Sequence, residues 1–599
     1  MEQKTCSSTE YQQEDMARLL ARASSLRRQK NARAPALRLP VEIVLNIFSV
    51  FPASPLSPHV LYSRPPPWLA VTHVCQRWRE ISLSSPSLWT HIITETRHWA
   101  GEMLIRSKNL PIVLQISPLG RRPSGYKSSS EVALSQASRA CFIDIDGFNI
   151  WHRPSLCVPA PILESLYLRG ALFSPTLPIA DIFPEGTPKL RSLCLQGLNI
   201  SWPLHLLNPD LVELTLDDIC EDDRPSLLQL REALSAMPNL NTLSLKHTLP
   251  LQSQDSTPHT IMATWEGVTL PTLPSITTLE VAGQSGMEIL GFTSSFTFPS
   301  LTSVVIGIGW GAAADLGRSS VQSVIISLSG LYRQFTSRLS GPSPYSFHSL
   351  RIARDEYDYW CMQAGGQTSQ DVDRGCPPWI RTHFDPFFTV NVHRDSPRLA
   401  AEDLFKTVCE LLPLQNIGTL MVECELFTAY IPWVEAFSRM KDIQNVIVRG
   451  SASGAIIEAL NDLHAVGAWT QHSATLAEFV PFAPFDNYPT IAHDIFPRMS
   501  HLAIGGIDME IIPEVQAIGE TPISLCERLR LALARRLEEG NGMQPLERLG
   551  VRDCNITQAH VMQLGEVITH GAVDWDSVQN PHLFGLAGLI VDTSEESDA

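Results

Sequence analysis

Residues 188–195, Pro-Lys-Leu-Arg-Ser-Leu-Cys-Leu, and residues 209–216, Pro-Asp-Leu-Val-Glu-Leu-Thr-Leu, carry one leucine pattern 21 residues apart. If the first leucine is position 0, the other two occupy positions 3 and 5. Positions 3 and 5 point to the same side of a β-strand because they differ by two. The proline at position −2 fixes φ and stops an incoming helix, so the chain enters the strand extended. The pattern therefore predicts a strand that buries one face.

The same spacing recurs along most of the chain. The eleven copies are Leu163/Leu166/Leu168, Leu190/Leu193/Leu195, Leu211/Leu214/Leu216, Leu240/Leu243/Leu245, Ile276/Leu279/Val281, Leu301/Val304/Ile306, Phe347/Leu350/Ile352, Ile417/Leu420/Val422, Ile443/Val446/Val448, Met499/Leu502/Ile504 and Leu546/Leu549/Val551. Two weaker copies precede them, Pro111/Leu114/Ile116 and Ala140/Ile143/Ile145. Helical patterns lie between copies, for example at Pro225 to Met237, Leu399 to Leu412 and Pro522 to Leu537. Alternating strands and helices with one-sided burial predict an α/β solenoid with a parallel sheet.

The Leu-x-x-Leu-x-Leu core resembles that of leucine-rich repeats. This resemblance implies an irregular horseshoe with the parallel sheet on the concave face and the helices outside. The Asn or Cys that usually follows three residues later is mostly absent, although Cys554 matches it. No copy is evident from Ala353 to Ile417, where Phe387 to Val392 is a candidate extra strand. The alternative is a set of unrelated α/β domains.

Three short helices are predicted between residues 37 and 92. The first begins at Leu39-Pro40, the second runs from near Trp68 to Ile81, and the third follows Ser84. A Pro-rich spacer, Pro52 to Pro67, separates the first two. Three helices in about 55 residues cannot bury all of their apolar faces against one another. Some of this surface must therefore meet the rest of the chain or a partner.

Leu-Pro-x-Glu-Ile, Val-Cys-x-Arg-Trp and Ser-Pro-x-Leu-Trp occur in that order and together resemble the F-box. The long spacer is similar to that of F-box proteins from mushroom-forming fungi. The resemblance implies docking on the Skp adaptor of a cullin-RING ubiquitin ligase. The implied docking residues are Leu39, Pro40, Ile43, Val44, Ile47, Val74 and Cys75. Trp78 and Trp89 are the implied core residues, and an unrelated three-helix bundle is the alternative.

These patterns divide the chain into four parts. Residues 1–36 are expected to hold an amphipathic helix, predicted over residues 11–34, and residues 37–92 the F-box. Residues 93–585 are expected to form the repeats, and residues 586–599 a short acidic tail without fixed structure.

Composition excludes several classes of protein. The net charge is −17, which disfavours a general binder of nucleic acid or of anionic membranes. No apolar run approaches the roughly 20 residues that span a bilayer. The chain begins with a charged segment instead of an apolar signal core, and its 12 cysteines are sparse. We therefore expect a cytoplasmic or nuclear protein with neither nucleic acid nor membrane as a partner.

One segment carries a possible catalytic motif. Phe142-Ile143-Asp144-Ile145-Asp146-Gly147 resembles the nucleophile loop of haloacid-dehalogenase phosphatases, in which one carboxylate attacks phosphorus and the second handles protons. Phe148 stands where that family has threonine, which favours a strand end with solvated carboxylates. We expect no catalytic residue, no metal site and no cofactor.

The primary interpretation is a substrate-recognition adaptor of an SCF-type (Skp–cullin–F-box) ubiquitin ligase, whose repeats bind an unidentified protein. Substrate contacts are expected at strand positions 2, 4 and 6. The candidates are Tyr167, Arg169, Glu213, Asp217, Lys246, Glu280, Arg351, Glu423, Arg449, Arg548 and Arg552. A protein-interaction scaffold unconnected with ubiquitin is the alternative, and a phosphatase using Asp144 is a remote one.

Overall fold

The computed structural model describes most of the chain. The described residues are 3–31, 33–53, 67–94, 97–116, 126–148, 152–170, 182–200, 202, 204–252, 256–308, 318–336, 347–354, 359–367, 384–393, 398–411, 414–424, 426–427, 433, 436–437, 440–461, 495–511, 523–538, 542–569 and 572–576. They fall into two compact units, Met1–Leu240 and Asn241–Ala599. Within the described ranges, no helix combines the length and the apolar character needed to cross a membrane. The predicted acidic tail lies outside the described residues.

The first unit contains a parallel sheet. Its described strands are β1 (His91–Ile93), β2 (Ile112–Ile116), β3 (Ala140–Phe148), β4 (Ser165–Gly170), β5 (Ser192–Gln196) and β6 (Glu213–Asp217). Each strand pairs in parallel with the next one along the chain. The sheet order is therefore the chain order.

The second unit also contains a long, mostly parallel sheet. Its described strands are β7 (Thr242–Lys246), β8 (Thr278–Gly283), β9 (Ser303–Ile308), β10 (Ser349–Arg354), β11 (Tyr359–Gln367), β12 (Phe384–His393), β13 (Thr419–Glu423), β14 (Asn445–Arg449), β15 (His501–Gly505), β16 (Arg548–Arg552) and β17 (Ala572–Trp575). The pairings give the order β7-β8-β9-β12-β11-β10-β13-β14-β15-β16-β17.

Helices connect many of these strands. The described helices of the first unit are α1 (Gln3–Asn31), α2 (Val41–Ala53), α3 (Val71–Val74), α4 (Gln76–Ser84), α5 (Arg97–Ser107), α6 (Tyr126–Leu134), α7 (Arg153–Leu156) and α8 (Leu227–Ser235). Those of the second unit are α9 (Pro258–Thr264), α10 (Gly286–Thr293), α11 (Arg318–Thr336), α12 (Arg398–Leu411), α13 (Ala452–Asn461), α14 (Leu525–Arg536) and α15 (Gln558–Glu566). The helices predicted at Pro225 to Met237, Leu399 to Leu412 and Pro522 to Leu537 are confirmed as α8, α12 and α14.

Each of the eleven repeats falls on a strand that begins two residues after position 0. Position 0 lies in a turn: the amide of Leu190 donates to the carbonyl of Thr187 at 3.0 Å, and Leu211 repeats this with Asn208 at 3.3 Å. Leu193 and Leu195, at positions 3 and 5, are almost fully buried. The predicted strands are therefore confirmed, and both weaker copies are strands as well. The predicted one-sided burial is wrong for β13, β14 and β15, where Met421, Ile447 and Ala503 at position 4 of the opposite face are also buried and form one apolar cluster.

In six of the eleven repeats the backbone turns left-handed at position 7, directly after the strand. The φ angle there is +62° at Gly197, +52° at Asp218 and +75° at Gly450. This geometry lets the position-7 amide donate to the next strand; that of Gly197 reaches the Asp217 carbonyl at 2.9 Å. Glycine adopts positive φ without steric cost, and Asp tolerates it better than most residues. The position-7 amides that make the same kind of hydrogen bond are those of His247, Gly450 and Gly506. In these repeats the turn therefore extends the strand pairing by one hydrogen bond.

Position 8, where leucine-rich repeats carry their inward Asn or Cys, is mostly apolar here. Leu198 and Ile219 are both 2% exposed, and Cys554 is fully buried. These apolar side chains fill the interior where leucine-rich repeats would stack their inward Asn or Cys side chains. Burial and neighbouring carboxylates raise the pKa of the Cys554 thiol to about 11, so it is a neutral packing group.

The region without a predicted repeat departs from the parallel pattern. The extra strand expected at Phe387 to Val392 is confirmed as β12. β11 was not predicted, and it pairs antiparallel with both β10 and β12. Its sequence has two glycines and a register shift at Ala364/Gly365, so it lacks the apolar spacing of the repeats.

α1 is longer at its start than the helix predicted over residues 11–34 and ends three residues earlier. Its first turns are rich in Gln, Ser and Thr, so no apolar period marks them in the sequence. The side chains of residues 13–31 are all exposed, including Leu19 at 65% and Leu20 at 61%.

Candidate functional site

α2 sorts its apolar residues into a buried and an exposed set. Val44 is 2% exposed and Phe48 is 1% exposed, four residues apart on one side of the helix. Ile43 and Ile47 have the same spacing, yet they remain 44% and 47% exposed. α2 therefore presents an apolar stripe to solvent beside the one that it buries.

Aromatic packing holds the buried side in place. The rings of Phe48 and Trp78 meet edge to face with centroids 5.1 Å apart. Trp89 is fully buried, its indole Nε1 donates to the Ser82 carbonyl at 2.8 Å, and the Arg106 guanidinium lies 4.2 Å from its ring centroid. Trp89 is thus packed inside the module, whereas Trp78 is half-buried against Phe48.

The predicted second helix is interrupted, which is a correction to the sequence analysis. A 3₁₀ turn (Pro67–Ala70) leads into α3, which ends at Val74. Cys75 follows with an extended backbone, φ −158° and ψ 169°, and α4 begins at the next residue. The Cys75 sulfur accepts from the Trp78 amide at 3.5 Å and so caps α4. A side-chain cap compensates the free amides of a helix start. No Gly or Pro marks this break in the sequence.

Two arginines of α4 bind neighbouring backbone: Arg77 binds that at the start of α2, and Arg79 binds that of α3. Arg77 Nη2 donates to the Leu39 carbonyl at 2.8 Å, and Arg79 Nε donates to the Thr72 carbonyl at 2.8 Å. The Leu39-Pro40 turn is thereby fixed next to α4. Val74, at the end of α3, is 58% exposed.

The docking candidates thus divide by exposure. Ile43, Ile47, Val74 and Pro40 are exposed, and Leu39 is half-buried. We call these five residues the docking face. Cys75 is half-buried and occupied as a helix cap. Val44 is a correction: it is buried inside the module and does not belong to the exposed surface.

In the first unit, the substrate candidates bind one another across strands. Tyr167 shares a 2.9 Å hydrogen bond with Ser192, whose hydroxyl is 2.9 Å from Glu213 Oε2. Arg169 contacts Asp144 at 2.7 Å. Asp217 accepts from Gln196, one strand away, at 3.1 Å. Ser192, Gln196 and Asp144 were missed because the pairing register is not visible in the sequence.

The second unit repeats this arrangement. Lys246 contacts Glu280 at 2.8 Å. The Glu423 carboxylate lies between two arginines, 3.2 Å from Arg351 and 3.5 Å from Arg449. Exposed ion pairs of this kind contribute little to the stability of the fold, about 0–1 kcal/mol each.

The last two candidates lie on β16. Arg552 donates to both oxygens of Asp574, each at 2.7 Å, and this partner was also missed from the sequence. Arg548 is exposed. Within each unit, most of the substrate candidates therefore contact polar side chains of adjacent strands, and we call these contacts the polar network.

The geometry around Asp144 differs from the strand end that the sequence favoured. β3 continues to Phe148, so Asp144 and Asp146 both lie within the strand. Burial raises the pKa of the Asp144 carboxyl, and the nearby Arg169 opposes that rise. Across the described ranges, no group of three or more His, Cys, Asp or Glu residues could hold a metal ion.

Residues 36–95 match the model of the F-box-like family. The chain thus contains an F-box-like domain, and the match covers α2 to β1 with the whole docking face. F-box domains generally bind Skp-type adaptors in SCF complexes, which suggests a role as an adaptor in general terms. A comparison with curated proteins found no match.

Proposed function

We propose that this chain is the substrate-recognition subunit of an SCF-type ubiquitin ligase. The docking face binds the Skp adaptor, which links the chain to a cullin scaffold, and the repeats bind a protein substrate. The observation that carries the proposal is the solvent exposure of Ile43, Ile47 and Val74 within an F-box-like domain. Three large apolar side chains at this exposure make a surface that a partner stabilises by covering it.

The mechanism that follows is tethering. A substrate held on the repeats and a conjugating enzyme held through the adaptor share one assembly, so the effective concentration of target lysines rises. The chain itself supplies no acid, base or nucleophile in this proposal. We place the complex in the cytoplasm or nucleus.

The repeats are proposed to stack as a leucine-rich-repeat-like solenoid with one sheet face open to the substrate. Parallel pairing of strands in chain order and the recurrent left-handed turn support this arrangement. The polar network supports a protein substrate, because the half-exposed Arg351 and Arg449 can exchange their pairing with Glu423 for contacts with a partner. Arg548 is exposed and adds a further cation.

Co-purification tests the proposal. The full-length chain should capture a purified Skp-type adaptor, and Val74→Asp combined with Ile47→Asp should abolish capture. Leu228→Asp is the matched control, since Leu228 is 64% exposed on α8, outside the F-box-like domain. A wild-type chain that captures no adaptor contradicts the ligase role and leaves the scaffold as the better account.

A phosphatase assay tests the remote alternative. Asp144 lies within a strand and its carboxylate is paired with Arg169. We therefore expect no hydrolysis of p-nitrophenyl phosphate with magnesium present. Activity that Asp144→Asn removes would establish the phosphatase instead.

A further inference from the structure

The stretch that leads into the F-box-like domain concentrates positive charge. Between Met16 and Pro40 there is no Asp or Glu, and there are seven cations. They are Arg18, Arg22, Arg27, Arg28, Lys30, Arg33 and Arg38. The whole chain carries −17, so the other residues together carry −17 − 7 = −24. This segregation creates a local field opposite in sign to that of the rest of the chain.

The structure brings part of this run to the docking face. Arg28 Nη1 donates to Gln76 Oε1 at 3.1 Å, and Gln76 is the first residue of α4, directly after Cys75. At the other end of the run, Arg38 immediately precedes Leu39. Arg28, Lys30, Arg33 and Arg38 are all exposed. We call these four residues the basic collar.

Backbone hydrogen bonds fix the collar between α1 and α2. The amide of Arg33 donates to the Lys30 carbonyl at 3.2 Å, and the Leu37 amide donates to the Ala34 carbonyl at 3.0 Å. A 3₁₀ turn, Pro35–Arg38, then leads into Leu39. The collar charges are therefore held at a set place beside the docking face.

We propose that the basic collar extends the docking face, and that the protein covering this face carries an acidic surface next to its apolar groove. The inference rests on the proposed function. Protein interfaces combine an apolar core with a polar rim. Charges on such a rim steer the approach of the partner, so they raise the association rate and make it depend on salt, with little effect on dissociation.

The association rate of the full-length chain with a purified Skp-type adaptor tests this proposal, measured at 50 and 500 mM NaCl. The collar variant is Arg33→Gln with Arg38→Gln. The matched control, Arg18→Gln with Arg22→Gln, removes the same charge farther along α1. At 1.5 Å per residue, Arg22 lies about 9 Å and Arg18 about 15 Å from Arg28 along the helix. The collar variant and its control are therefore compared at 150 mM NaCl, where the Debye length of about 8 Å is shorter than both distances.

We expect the wild-type association rate to fall about tenfold or more over this salt range. At 150 mM the collar variant should associate at least about threefold more slowly than the wild type, with a dissociation rate within about twofold. The control pair should retain most of the rate. If both pairs of substitutions change the association rate equally, or if the rate does not depend on salt, the proposal about the collar is overturned. Equilibrium capture of the adaptor, and hence the proposed function, would remain intact.

Two further outcomes also overturn the proposal. If the wild-type chain does not bind the adaptor at all, the collar and the proposed function fail together. If the chain sediments with phosphatidylserine-containing vesicles, and the collar variant loses this binding but keeps its association rate, the collar serves a lipid surface.

Discussion

Replacing Ile43 and Ile47 together by alanine should weaken adaptor binding without unfolding the domain. The two side chains are 44% and 47% exposed. The surface that a partner can cover on both together is therefore slightly less than that of one fully exposed isoleucine. Full burial of an isoleucine side chain contributes about 1.5–3 kcal/mol. This corresponds to a dissociation constant about 10- to 100-fold higher. Titration calorimetry with the purified adaptor measures it.

Stability must be compared in the same experiment. Alanine is a better helix former than isoleucine, so the double variant should keep its urea unfolding midpoint. Val44→Ala is the converse variant: because Val44 is 2% exposed, it should lower the unfolding free energy by about 2 kcal/mol. Leu228→Ala controls for loss of an exposed leucine. The reasoning is refuted if the double variant binds the adaptor as tightly as the wild type, or if it unfolds as readily as Val44→Ala.

Three further predictions concern the repeats. Arg536 is 3% exposed and donates to the carbonyls of four other residues. Arg536→Ala should therefore lower the unfolding free energy by roughly 3–5 kcal/mol, and an unchanged urea midpoint would contradict this. Gly506 has φ +68°, and Gly506→Ala should cost about 1–2 kcal/mol in the same assay, whereas no loss would deny the left-handed turn. Burial raises the pKa of Cys526 to about 12, so its reactive thiolate is scarce in the folded chain throughout pH 7–9. Iodoacetamide labelling followed by peptide mass spectrometry should find Cys526 unmodified until urea unfolds the chain, and rapid labelling of the native protein would count against its burial.

Local sequence predicts the strands well because their signal is contained within six residues. Proline, the position-0 turn and alternate apolar residues act on neighbouring backbone, and each copy produces a strand at the expected place. β11 lacks this spacing, and it pairs antiparallel with β10 and β12, the strands directly before and after it in the chain. A search for the repeat pattern therefore could not find it.

The candidate site was predicted only in part for the same reason. A helical pattern shows that Ile43, Val44 and Ile47 are apolar and close together, but Trp78 and its neighbours decide which of them is covered. The break at Cys75 depends on a cap made by its own side chain. Likewise, Ser192 and Asp574 enter the polar network through strand register, which no local pattern specifies.

Hydroxyl-radical footprinting of the full-length chain, alone and with a purified Skp-type adaptor, tests the central claim most directly. The account predicts that Ile43, Ile47 and Val74 are oxidised in the free chain and protected in the complex, whereas Leu228 is oxidised equally in both. Side chains that resist oxidation in the free chain, or that are oxidised equally with and without the adaptor, would contradict it.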